Sequence, residues 1–173
     1  MNKLTVQEEN ALAEKMETIG QFRESIMTFE DQLMSLPGSY GDPKNPGQDK
    51  KANEINPLKH TFAGGCYIRE LFMPKSQLIT TGIHKKEHCF FVTKGDVSVL
   101  TEEGIHRITA PYSGITQPGT KRIIYVHEDT IWTTVHRTDK DNVEDVLEEI
   151  IAKDFSDPSV CLEAVKEKLI KNK

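Results

Sequence analysis

At 173 residues, with 36% hydrophobic and 28% charged side chains, the chain is long enough for one domain with a buried core and short for two. A formal charge of −5 argues against general binding to nucleic-acid phosphates, which needs clustered Lys and Arg. No stretch approaches the roughly 18 apolar residues of a membrane span, and Glu8, Glu9, Glu14 and Glu17 interrupt what would be the apolar centre of a secretory leader, so a cytoplasmic location is expected.

Leu12, Met16, Ile19, Phe22, Ile26, Phe29 and Leu33 recur at steps of three and four, which predicts an amphipathic helix within residues 1–36. Thr5-Val6-Gln7-Glu8 supplies a capping box at its start, and Leu36-Pro37-Gly38 ends it. Its apolar stripe can pack on the rest of the chain or on a second subunit. Residues 37–58 hold Pro37, Pro43, Pro46 and Pro57 with few apolar side chains and read as a linker or wrapping arm, the Lys50-Lys51 pair falling in a solvated loop.

Residues 59–138 carry β-rich runs at 66–73, 78–81, 89–93, 97–101, 105–109, 122–126 and 130–136, separated by turn signals, the pattern of an all-β barrel or sandwich. Glu102-Glu103-Gly104 closes a hairpin between two of them. From residue 139 to 173 the pattern turns helical, with one helix from about Asp141 to Lys153 and another opening at Asp157-Pro158. Cys66, Cys89 and Cys161 form no C-x-x-C pair, so reduced thiols are expected instead of a disulfide framework or zinc knuckle.

The chemistry concentrates in Gly82-Ile83-His84-Lys85-Lys86-Glu87-His88-Cys89-Phe90-Phe91-Val92-Thr93-Lys94-Gly95. In an extended strand His84 and His88 have the same parity and share a face, so two imidazoles can converge on a metal such as zinc, iron, nickel or copper. The stretch resembles the first motif of the cupin superfamily, in which histidines and a glutamate precede a glycine. Counting back from Gly95, His88 stands at the usual glutamate, His84 at the second histidine and Gly82 at the first. Gln117-Pro118-Gly119-Thr120-Lys121-Arg122 resembles the second motif, with Arg122 in place of its histidine. The longer match, with Tyr67-Ile68-Arg69-Glu70 and the segment His127-Glu128-Asp129-Thr130-Ile131-Trp132-Thr133-Thr134-Val135-His136, looks like small cupin proteins of bacteriophages and prophages.

The resemblance implies a mainly β fold, a cupin-type jelly-roll β-barrel with a long N-terminal helix and C-terminal helices, and a homodimer paired through its barrels. Trp132, Thr134 and His136 share a strand face that such a barrel turns inward, which makes His136 a third ligand candidate. His84, His88 and His136 would then hold one divalent metal ion and leave open positions for water or substrate. Arg122 is the candidate for anchoring an anionic ligand through its guanidinium fork, with a structural salt bridge to Glu87 or Glu70 as the alternative. Glu87 and Tyr125 are the candidate acid or base groups.

Three functions stay open: a metal-dependent enzyme acting on a small polar or anionic molecule, a non-catalytic binding protein for such a molecule, and a structural or assembly protein of a phage particle. Host cytoplasm or the virion are the locations expected of a phage-encoded chain.

Overall fold

The computed structural model describes residues 5–43 and 49–171; Pro46, counted above in the Pro-rich connection, lies outside them, as do residues 1–4 and 172–173 of the two terminal segments. The first helix, α1, spans Val6–Ser35 and is opened by the Thr5 capping box, in which Thr5 Oγ1 accepts from the Glu8 amide and Glu8 returns the bond to the Thr5 amide. A second short helix, α2, Lys50–Ile55, occupies part of the expected linker, with Asp49 as its N-cap. It contains Lys50 and Lys51, so the pair is helical and not in a loop.

The sheet is built on two long antiparallel strands, β5 (His88–Thr101) and β8 (Ile123–Arg137), paired from Cys89↔Val135 to Leu100↔Ile123. Beyond β8 lie β2 (Cys66–Met73) and then β1 (Leu58–Ala63), while β3 (Leu78–Thr80) pairs with the start of β8. Beyond β5, β7 (Tyr112–Thr116) covers its first half and β6 (Gly104–Thr109) its second, the latter through the Glu102-Glu103 hairpin.

This arrangement overturns the expected jelly-roll β-barrel. The order β1-β2-β8-β5-β6 ends in two unjoined edges, so the seven strands form one open sheet and no sheet closes. With four helices among the described residues the fold is mixed α and β, not mainly β. The reason lies in the long strands. The runs 89–93 and 97–101 are one strand of 14 residues, and 122–126 and 130–136 merge into one of 15, where a barrel of short strands needed turns. At the expected break the ladder shifts register between Val92 and Val97 and continues. Gly95 makes this possible: its φ is +96°, and a Cβ there would stand 2.2 Å from Thr130 Oγ1. The buried parity accordingly passes from His88, Phe90 and Val92 to Val97 and Val99.

The buried face gathers Met73, Phe90, Val92, Val97, Val99, Ile108, Ile124, Val126 and Trp132 into the main core, with Phe90 stacked on Trp132. The third helix, α3, Val143–Ile150, is capped by Asn142 and lays Val146 and Ile150 on Tyr67. It stops short of the expected Lys153 because Ile151–Ala152 becomes strand β9, paired with β4 (Ile83–His84). The last helix, α4, is Leu162–Lys171.

Part of the α1 stripe, whose partner surface the sequence left open between the chain itself and a second subunit, packs within the chain, while Leu12, Met16, Phe22, Phe29 and Leu33 are half-buried. Ile19 and Ile26 are buried, Met27 packs on Ile83, Ala152 and Val160, and Arg23 donates to the Val160 carbonyl at 2.7 Å with its guanidinium over Phe155. Burying each such aliphatic side chain is worth about 1.5–3 kcal/mol. The expected pairing through barrels has no closed barrel to rest on. No described helix is long and apolar enough to cross a membrane.

Candidate metal centre

His84 is carried by β4, a two-residue strand held on every side by backbone. Its amide donates to Thr120, its carbonyl accepts from Gly119, and the next amide, of Lys85, donates to Ile150. His88 opens β5 and His136 lies near the end of β8 on its buried face. His84 and His88 therefore do not meet by sharing one extended strand, as the parity argument supposed. A bend at Lys85-Lys86 separates β4 from β5 and folds the two rings together.

The three rings form one cluster. Ring centroids are 4.3 Å apart for His84 and His88, 4.1 Å for His88 and His136, and 5.9 Å for His84 and His136. One ring nitrogen from each lies within 4.8 Å of the others. His88 Nδ1 donates to the Lys86 carbonyl at 3.2 Å, which fixes the tautomer and leaves the Nε2 lone pair free. His136 Nε2 bonds Thr134 Oγ1 at 3.1 Å, leaving Nδ1. His84 Nδ1, His88 Nε2 and His136 Nδ1 are buried with no hydrogen-bond partner.

Three orphaned imidazole nitrogens in one place are costly unless something accepts their lone pairs or bonds them. Burial pushes the His88 pKa down to about 4 and that of His136 to about 3, and holds His84 well below its usual value, with the other histidines and the charges of Arg122 and Arg69 adding to the effect there. At neutral pH all three are therefore uncharged, the state in which imidazole binds a metal. His84, His88 and His136 form a site for a single divalent cation.

The centre faces a cavity of about 120 Å³ whose wall includes His84, His136, Arg122, Arg69, Thr134 and Trp132. Arg122 is 6% exposed; its Nη2 donates to Thr116 Oγ1 at 2.7 Å and its guanidinium lies over Phe90 and Trp132. Burial lowers its pKa to about 10, so it stays charged at neutral pH. The alternative salt bridge to Glu87 or Glu70 is absent: among the described residues neither Arg122 nor Arg69 has an ion pair, and no carboxylate lines the cavity.

Arg122 is set in place by its neighbour. Lys121 turns the other way, into a buried ion pair with Glu30 of α1 at 2.6 Å, and also donates to the Thr81 carbonyl. The Arg122 amide donates to Thr81 Oγ1. Arg69 carried no assigned role in the sequence. Its register partner on β8 is Thr134, the hydroxyl that bonds His136, and only that pairing brings it to the site.

The two candidate acid or base groups stand elsewhere. Tyr125 lies on the exposed face of β8, edge-on to His127, away from the histidines. Glu87 accepts from Gln117 Nε2 at the surface and shares with His136 a separate cleft bordered by Lys86 and Glu149. Gly82 leaves no room for a fourth ligand of its own: a Cβ there would lie 2.9 Å from the Pro43 carbonyl and 3.2 Å from Ile151.

An open sheet flanked by helices, with a three-histidine centre on its buried side, is the class of protein these features define. No protein-family model matches the chain, and no curated protein matches it. Among solved structures it is similar to a cupin 2 domain-containing protein from Halorhodospira halophila, at 12% identity over 57% of this chain and 74% of that one, with a TM-score of 0.43. It is also similar to an RmlC-like cupin family protein with a double-stranded β-helix fold from Methanocaldococcus jannaschii, at 10% identity over 48% of this chain and 80% of that one, TM-score 0.41. A cupin-2 domain containing protein from Shewanella frigidimarina matches at 7% identity over 63% of this chain and 91% of that one, TM-score 0.40. None of these is described as a bacteriophage protein.

Proposed function

We propose that the chain is a metal-dependent binding protein for a small anion, in which His84, His88 and His136 hold one divalent cation and Arg122 with Arg69 holds the anion beside it. The observation that carries this reading is the pairing of three partnerless imidazole nitrogens with two guanidiniums that have no acidic partner among the described residues, His84, His136, Arg69 and Arg122 lining one small cavity and His88 standing against His84 and His136. A buried cation without a counter-charge is strongly disfavoured, and an incoming carboxylate or phosphate relieves it through bidentate hydrogen bonds. A bound cation would add a Lewis-acidic centre for one oxygen of the same anion.

Binding is favoured over acid–base turnover because neither Tyr125, on the exposed face of β8, nor Glu87, on a separate cleft that His136 also borders, lines the cavity that holds the two guanidiniums. The test is calorimetric titration of acetate and of inorganic phosphate into cobalt-loaded protein, repeated on Arg122→Gln. At least one anion should bind to the parent and lose tenfold or more in the variant, with cobalt retained. Equal binding to parent and variant would remove Arg122 from the site.

A further inference from the structure

The small cavity is not the end of the space. Next to it lies a pocket of about 310 Å³ between the C-terminal end of α1, α2 and the β1-β2-β3 side of the sheet. The two spaces have Pro43, Arg69, Leu71, Ile79 and Thr80 in common, so they adjoin across a shared wall. Sheet register lines up the side chains between them. Leu58 pairs with Leu71 and Leu71 with Trp132, a row of apolar side chains running from the outer pocket to the metal cavity. One step along, Arg69 pairs with Thr134, which places the guanidinium between the outer pocket and the histidines.

The outer pocket differs in chemistry from the inner cavity. Leu33, Met34, Leu58 and Leu78 make its wall mainly apolar. Its polar groups include Asn56 and Gln77, whose amides bond each other at 2.7 and 2.6 Å, and Gln77 also donates to Tyr40. Asn56, Gln77 and Tyr40 satisfy one another, and Asp49, which with Asp42 also borders the pocket, accepts from the Gly41 and Ala52 amides; what the pocket offers an occupant is its apolar surface, and the two carboxylates favour a ligand whose charged head stays at Arg69. An apolar cavity of about 150 Å³ admits benzene, so a space twice that size takes a tail on the order of ten carbons.

Resting on the anion-binding reading above, we infer that the ligand class is an amphiphilic carboxylate: its head lies between Arg69, Arg122 and the histidine centre, and its unbranched apolar tail runs over Leu71 into the pocket under α1. Each methylene buried should tighten binding about threefold to fourfold.

The experiment titrates acetate, butyrate, octanoate and octanol into the full chain, each with and without saturating cobalt, in the parent, in Leu78→Asp and Met34→Asp, and in Arg69→Gln. Leu78 and Met34 are 39% and 38% exposed, so aspartate there leaves the fold intact, which circular dichroism checks. Octanoate should bind at least a hundredfold tighter than acetate, lose tenfold or more in both aspartate variants while acetate is unchanged, and lose tenfold or more in Arg69→Gln. Octanol should bind at least tenfold more weakly than octanoate. Equal affinity for acetate and octanoate would overturn the tail pocket and leave the anion site standing. Octanol binding as tightly as octanoate would overturn the carboxylate head. Octanoate affinity that is the same with and without cobalt, with the tail-length dependence kept, would uphold this inference and sink the metal half of the function proposed above. No binding of any carboxylate would overturn both.

Discussion

His88 and His136 stand with ring centroids 4.1 Å apart, each fixed by a hydrogen bond to a residue two positions earlier in its own chain, His88 to Lys86 and His136 to Thr134. Each leaves one buried nitrogen without a partner. The hydrogen bond that turns His136 is made by the same strand position that faces Arg69, so orientation of the ligand set and placement of the cation pair are built from one ladder.

Thr134→Val tests that orientation. The substitution keeps shape and removes the hydroxyl that bonds His136 Nε2. Loss of such a supporting contact lowers metal affinity about 10- to 100-fold, and cobalt titration followed by absorbance should read a drop in that range with the fold unchanged. An unaltered affinity would show that packing alone holds the ring.

Acid should destabilise the metal-free protein before its carboxylates titrate. An unfolded histidine takes up its proton near pH 6.5, whereas folded His88 and His136 resist protonation down to about 4 and about 3. Between those values the unfolded state binds more protons, so stability is full above about pH 6.5 and falls as the pH drops. From pH 7 to pH 5 each contributes a loss of roughly 2 kcal/mol. Urea midpoints measured across this range should fall more steeply in the parent than in His136→Gln, and parallel curves would contradict the assignment.

The Lys121–Glu30 pair predicts a different signature. Both side chains are buried, at 2% and 3% exposed, and removing one leaves the other charged and enclosed. Lys121→Met should cost about 3–5 kcal/mol, while Lys121→Met with Glu30→Leu should recover most of it. Chemical denaturation of the three proteins decides this, and a double variant no better than the single would place the cost elsewhere.

Gly95→Ala addresses the long strand. The residue holds φ at +96°, and the added methyl would meet Thr130 Oγ1 at 2.2 Å and the Asp129 carbonyl at 2.6 Å. A loss of about 2 kcal/mol or more is expected in thermal unfolding, because strain and collision add. A change under half of that would mean that the ladder shift absorbs the side chain.

Much of the centre was legible because alternation is local. Trp132, Thr134 and His136 share a face whatever their strand pairs with, and His84 and His88 fall close together in the chain. Arg69 was not legible as a site residue, since its place depends on the register with Thr134, which no periodicity records. The two-residue strands β4 and β9 are too short to leave a pattern, yet their pairing holds His84. Lys94-Gly95-Asp96 reads as a turn, and only the close approach of Thr130 reveals a register shift inside one strand. Strand patterning likewise says nothing of whether the edges meet, which is why a barrel was expected of an open sheet.

The central claim is that His84, His88 and His136 bind one metal ion together. Protein purified without a metal-binding tag, stripped with chelator and reloaded with zinc or cobalt, should carry one ion per chain by mass spectrometry, and His84→Ala, His88→Ala and His136→Ala should each lose it. A parent that takes up no ion, or variants that keep it, would contradict the account.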